Sequence, residues 1–274
     1  MNLTFMTYQM EYKDIILAAN ILFNNRLNKT GLKSLPKKLI PIDIIDSYKI
    51  QNELKILYLT LKDNYCIGKK VGCSNLIAMK QVGVFEPFYG NLFSKFFKLS
   101  GCKLKSKNFF KPFMEPEISL IIKNDININD APFTINDAEN LFEGMLPSIE
   151  IVDFRFGSDI KKVGINNLII TNGASEYWIK SEKIYPLSSI NLNNHEINLY
   201  INNKLIEKGN TNAVLDNPIN SGIWIINKLA ALGEPMLKGQ FISTGTCTKA
   251  VPFQSNTNVI ADFGLLGKVE IEYN

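Results

Sequence analysis

A change of texture near residue 62 constrains this chain more than any other feature. Before it, two stretches carry apolar residues at helical spacing. Ile15, Ile16, Ala19, Ile21 and Leu22 lie within residues 12–28, and Ile44, Ile45, Tyr48, Ile50, Leu54 and Leu57 within residues 43–62. Gly31, Pro36 and Pro41 between them break helices and predict a loop. After Lys62 the helical period gives way to short β-rich runs separated by turn residues, at 117–122, 148–154, 167–171, 197–201, 240–244, 258–263 and 268–273. Two more helices are predicted. A short one covers 136–140, capped by Asn136 or Thr134; a longer one covers 218–232, with Asn217 as N-cap, Pro218 in its first turn and Gly233 just past its end. Many strands with few helices give an α+β chain, a helical N-terminal segment (1–65) ahead of a β-rich core (66–274).

The ionisable residues narrow the chemistry. Thirty basic residues against 26 acidic ones leave a net charge of +4 without a basic cluster, so no nucleic-acid partner is expected. The one histidine, His195, excludes a two-histidine zinc site, and it lies in a polar hairpin-like segment where exposure is the ordinary reading. Arg26 and Arg155 are the two arginines, which leaves few candidates for fork-type anion recognition. Cys66, Cys73, Cys102 and Cys247 form neither a C-x-x-C pair nor a zinc-ligand pattern, as reduced cytosolic thiols would. With no apolar run of membrane-spanning length and no leader pattern in residues 1–13, a cytoplasmic protein without a membrane partner is expected.

Carboxylates stand out instead. In Met114-Glu115-Pro116-Glu117-Ile118-Ser119, strand alternation places Glu115 and Glu117 on one face, and the apolar run that follows leads Glu117 into a core. Glu150 lies between Ile149 and Ile151, where alternation sets it opposite two apolar side chains. Three carboxylates from two strands fit a hard cation such as magnesium; equally, Pro116 favours an edge or strand-start position with solvated acids. Lys70, in Gly68-Lys69-Lys70-Val71-Gly72, reads either as part of an exposed pair or as a buried ammonium that binds a carboxylate. Thr244-Gly245-Thr246-Cys247 offers hydroxyls and backbone N–H groups at a turn.

Taken in order, these segments resemble the fumarylacetoacetate hydrolase superfamily, and within it the hydratase/decarboxylase branch. The likeness covers roughly residues 40–273. It runs through Gly68–Gly72, Gly83-Val84-Phe85-Glu86-Pro87, Glu115–Ile118, Leu146–Val152, Asn217–Asn220, Lys228–Pro235 and Ser243–Thr246. The resemblance implies a mixed β-roll or sandwich core, a Mg2+ or Mn2+ ion on Glu115, Glu117 and Glu150, and a small 2-oxo acid or its dienol as substrate. It implies that Lys70 binds the carboxylate or shuttles a proton, that Thr246 sits in the loop over the substrate, and that the chain forms a homo-oligomer. Hydratases of the branch read G-V-D-x-P-D-F-G where this chain has Gly83-Val84-Phe85-Glu86-Pro87-Phe88-Tyr89-Gly90, so phenylalanine stands at both aspartate positions. Phe88 would then line the substrate site, and Glu86 is the acid left in the segment to carry a proton. The Asp-Asn segment expected after the third ligand is shortened to Gly164-Ile165-Asn166-Asn167. The implied function is a magnesium-dependent lyase, by default a hydratase, with decarboxylation or tautomerisation as the route that needs an acid least. The alternative is a diverged, catalytically weak member serving as a metal-dependent binder or partner subunit. C–C bond hydrolysis fits less well, because it wants a histidine near the metal.

Overall fold

The computed structural model describes residues 9–157 and 159–274, so residues 1–8 of the expected helical segment lie outside it. Two helices open the chain, α1 (Tyr12–Leu27) and α2 (Ile44–Leu59). The Asp43 carboxylate accepts the Asp46 N–H and so starts α2 where the Pro41 turn ends. Their inward stripes, Ile15, Ala19 and Leu22 against Ile50, Leu54 and Tyr58, are buried together, and Phe93 and Ile170 close the cluster from the rest of the fold. The buried stripe is narrower than the apolar spacing suggests: Ile16, Ile44 and Ile45 are exposed.

The strands and helices that follow are β1 (Cys66–Gly72), α3 (Leu76–Val82), β2 (Phe88–Phe93), β3 (Phe97–Leu99), β4 (Cys102–Leu104), β5 (Pro112–Ile122), α4 (Ala138–Leu141) and β6 (Phe142–Asp153). Then come α5 (Ile160–Ile170), β7 (Ser175–Lys180), β8 (Glu196–Ile201), β9 (Lys204–Asn210) and α6 (Pro218–Ala231). The chain ends on β10 (Phe241–Thr246), β11 (Val251–Pro252), β12 (Thr257–Asp262) and β13 (Lys268–Tyr273). One sheet has the order β2-β1-β10-β5-β6-β7-β3 with β11 beside β5, and the other has β4-β13-β12-β8-β9. Parallel pairs (β1 with β10, β3 with β7) mix with antiparallel ones, giving the expected α+β class.

Alternation along β5 positions the site. Met114, Ile118, Leu120 and Ile122 enter the main core with α6 and the second sheet. The intervening residues, Glu115, Glu117 and Ser119, take the opposite face, which turns apolar again at Ile121 beside Leu146 and Trp178. Helix α6 forms as its signals predict: the Asn217 side chain accepts the Ile219 N–H, Pro218 occupies the first turn, and Ile219, Ile223 and Ile226 face the core.

Two expectations are corrected. Residues 167–171, expected as a strand, form the end of α5 and its C-cap Thr171, because a short apolar run does not distinguish a buried strand from a buried helix. Leu168 and Ile169 pack with Phe88 and Val163, and Ile170 with the helical cluster. Pro116 sits in a central strand rather than at an edge. It is tolerated because β10 pairs as far as Glu117 and β11 resumes at Met114, so Pro116 falls between the two neighbours. The short helix expected over 136–140 is present: it begins as a 3-10 turn at Ile135–Asp137 and continues as α4, and of its two candidate caps Thr134 is the one used.

Candidate metal centre and active site

Cross-strand register assembles the acids. Glu115 on β5 lies directly opposite Glu150 on β6, and Glu117 opposite Ser148. One carboxylate oxygen from each of Glu115, Glu117 and Glu150 lies within 4.8 Å of the others, and these three are the cluster able to hold a metal among the described residues. Glu117 and Glu150 are buried, while Glu115 is half-buried toward the adjoining cavity. Glu117 is held in place on one side only: its Oε2 accepts from the Ser243 hydroxyl and from the Gly245 N–H at 3.1 Å. That second donor exists because β10 slips register between Ser243 and Thr246, with Gly245 at φ +109°. At this φ, and against Ser74, no side chain fits.

Lys70 approaches from β1. Its ammonium stands 3.0 Å from Glu150 Oε2 and donates to the Gly173 carbonyl at 3.3 Å. The carbonyl is fixed by its neighbour: Asn172 accepts the Asn91 N–H at 2.7 Å and donates to the Asn91 carbonyl at 2.9 Å, tying the turn after α5 to β2. Burial works against the Lys70 charge, but Glu150, Glu115 and Glu117 outweigh it and hold its pKa above the ordinary lysine value. Burial pushes Glu115 up to about 7, with Lys70 opposing and Glu150 adding to the rise. Burial also raises Glu117 well above the usual carboxylate range, helped by Glu150 and Glu115.

A cation suits this donor set. Glu117 Oε1 and both oxygens of Glu150 are buried without a hydrogen-bond donor, since the Lys70 contact is an ion pair lacking hydrogen-bond geometry. Buried carboxylate oxygens without donors are costly, and hard oxygen ligands on three sides are what a small divalent cation takes. The cavity beside the cluster, about 70 Å³, is bounded by Lys70, Glu115, Phe88, Phe154, Leu168 and Thr246.

No family model matches the chain. Its sequence is 28% identical over 204 residues to 2-keto-4-pentenoate hydratase 1 of Dechloromonas aromatica, over 74% of this chain and 76% of that enzyme. It is 24% identical over 273 residues to 4-oxalocrotonate decarboxylase of Pseudomonas putida, over 98% of this chain and 100% of that one. The solved structure of 4-oxalocrotonate decarboxylase from Pseudomonas putida G7, complexed with magnesium and adipate, matches with a TM-score of 0.88 at 24% identity, over 98% of this chain and 100% of that chain. The chain is a homologue of 2-keto-4-pentenoate hydratases and 4-oxalocrotonate decarboxylases.

Within this fold the expected site residues separate into two groups. Glu115, Glu117, Glu150, Lys70, Phe88 and Thr246 come together around one cavity. Phe88 is buried with its ring 5.6 Å from the Lys70 ammonium, and Thr246 pairs with Glu117 across the sheet. Glu86 is not brought there: it is exposed and ion-paired to Lys228 at 2.8 Å, so the proton-carrying role expected of it has no support in its position. The displaced Phe85 is fully exposed. His195 is half-buried in the loop just before β8, with Nε2 2.8 Å from the Phe263 carbonyl. Sequence reasoning offered the Gly245 turn for its backbone N–H groups, one of which Glu117 accepts, but assigned no role to the Ser243 hydroxyl and missed the Asn172–Gly173 turn. Ser119 and Ser148, whose hydroxyls meet at 2.7 Å, were readable, since each lies two residues from a cluster acid on the same strand face.

Proposed function

We propose that this chain is a divalent-cation-dependent lyase acting on a small 2-oxo acid or its 2-hydroxydienoic form, with Mg2+ or Mn2+ held by Glu115, Glu117 and Glu150. The observation that carries it is the convergence of three carboxylates, two of which, Glu117 and Glu150, hold buried oxygens without donors. When bound, the ion supplies Lewis acidity that stabilises negative charge developing at the 2-oxygen of the substrate. The chain's own residues do the rest. Lys70, charged and aimed by Gly173, meets the substrate carboxylate or passes a proton at its Nζ. Thr246 closes the cavity from the bulged end of β10, and Phe88, Phe154 and Leu168 keep water from the conjugated tail. In this reading the β-rich residues 66–274 are the catalytic core and residues 1–65 a helical segment mounted on it.

Phe88 bears on the reaction. Where branch hydratases have an acid, a ring packs against Lys70, and Glu86 is engaged elsewhere. Phenylalanine moves no proton, so water addition lacks a dedicated carrier, whereas decarboxylation and tautomerisation ask less of one. The same observation favours the second reading, a catalytically weak, metal-dependent binder. A panel of 2-oxo and 2-hydroxydienoic acids with added Mg2+ or Mn2+, followed by loss of ultraviolet absorbance and by carbon dioxide release, separates the two. Turnover dependent on the ion is expected; none across the panel, with metal binding confirmed calorimetrically, leaves the binder. Phe88→Asp should raise hydration by about ten-fold or more if the missing acid is what limits it; an unchanged rate rejects that cause.

A further inference from the structure

Successive residues of β1 point to opposite faces, so Lys69 turns away from the acidic cluster. It enters a separate cavity of about 610 Å³ bounded by α1, α2, the β1–β2 pair, and the end of α6 with the chain just past it. This volume lies in the range of small-molecule sites, and the catalytic cavity is far smaller. Its floor is polar and built. Lys69 is buried, donates to Asn91 Oδ1 at 2.9 Å, and stands 5.4 Å from the centre of the Tyr89 ring. Its walls are apolar and aromatic, with Tyr48 and Tyr89 stacked at 4.6 Å and Ile44, Ile45 and Leu232 open at the rim.

Burial singles out Lys69 among the lysines that line this cavity. Lys49 and Lys228 have close carboxylate partners in Asp46 and Glu86, and Glu53 accepts from the Tyr12 hydroxyl. Lys55 lies at the wall. The nearest carboxylate to Lys69 is Glu234, at 3.6 Å and half-exposed at the mouth. A loose, solvated partner compensates a buried ammonium poorly. Burial accordingly lowers the Lys69 pKa, with Glu234 only partly opposing.

We propose that this cavity is a second ligand site, taking a small amphipathic carboxylate whose anionic end replaces Glu234 at Lys69 and whose apolar body lies along Tyr48, Tyr89 and Ile45. The site is independent of the metal centre and of the reaction proposed there.

The test is fluorescence titration of the full chain with 8-anilinonaphthalene-1-sulfonate, a probe with the same pairing of anion and apolar surface. Mg2+ and oxalate are present at saturation to occupy the metal centre. A single saturable site is expected, displaced by 4-phenylbutyrate and not by 4-phenylbutanol. Lys69→Met should weaken the probe about ten-fold or more, and Glu234→Gln, which removes the internal competitor, should tighten it. No saturable site, displacement by oxalate with Mg2+, or equal competition by the alcohol overturns the proposal. So does unchanged affinity in both variants. Should Lys69→Met fail to fold, Glu234→Gln decides alone: unchanged or weaker binding rejects the site.

Discussion

Glu117 stands where the chain's electrostatic cost is concentrated. It is 1% exposed, has one oxygen satisfied by Ser243 and Gly245 and the other by nothing, and faces two further carboxylates. Lys70 offsets part of this through Glu150, but one ammonium does not balance three acids. A divalent ion would, and its binding would stabilise the fold by about 2.7 kcal/mol at a hundred-fold excess over Kd. Glu117→Gln is therefore expected to abolish the rise in Tm caused by Mg2+ while leaving the metal-free Tm at or above that of the unsubstituted chain. Thermal melts with and without EDTA check both halves. A variant that still gains stability from Mg2+ would show the ligand set to be misassigned.

Elements deliver these residues to one another, and here the two arginines find their use. Arg26 from α1 reaches Glu176 on β7 at 3.1 Å, donates to the Glu176 carbonyl at 2.8 Å, and lies 3.7 Å over the Phe96 ring. Arg155 bridges Glu176 and Asp153, each at 2.9 Å, just past the strand that carries Glu150. Neither arginine is free for substrate recognition; both fasten the helical segment to the site-bearing sheet. Removing one member of such a buried network strands the others, so Glu176→Gln should cost about 3 to 5 kcal/mol, measured by urea unfolding. A loss below about 1 kcal/mol would show the network to be solvent-screened in practice.

Some of this was legible in the sequence and some was not. Period-two alternation put Glu115 and Glu117 on one face of β5 and set Glu150 apart from its apolar neighbours on β6, while the register that places Glu150 opposite Glu115 was not readable; the caps of α6 announced its ends. The run 167–171 was misleading because three consecutive apolar residues, Leu168, Ile169 and Ile170, carry no usable period. The positions of Lys70 and Glu86 depend on which strand lies beside β1 and which helix end lies near Lys228. These are long-range contacts that no local pattern encodes.

At the scale of the whole molecule, the buried acids set how stability responds to pH. Glu115 titrates near 7 in the folded chain and Glu117 is raised as well, because burial disfavours their charged forms, whereas both ordinarily lose their protons near 4.5. Between those values the folded state holds protons that the unfolded state has released, so stability falls as pH rises through the window. Glu176 works in the other direction. Burial disfavours its charge, but Arg26, Lys29 and Arg155 outweigh that and lower its folded pKa. Its contribution is present above the ordinary value and lost as pH falls through the folded one. The metal-free chain should therefore be most stable on the acid side of neutrality and weaken from about pH 5 toward pH 7. A divalent ion demands deprotonated carboxylates, so its binding strengthens over the same interval and should flatten or reverse the decline. Tm measured from about pH 4 to pH 8, in EDTA and in excess Mg2+, tests both curves. Glu115→Gln should remove part of the metal-free decline. A metal-free Tm that climbs steadily through neutrality would mean that the three acids are already ionised, and that Lys70 alone compensates them.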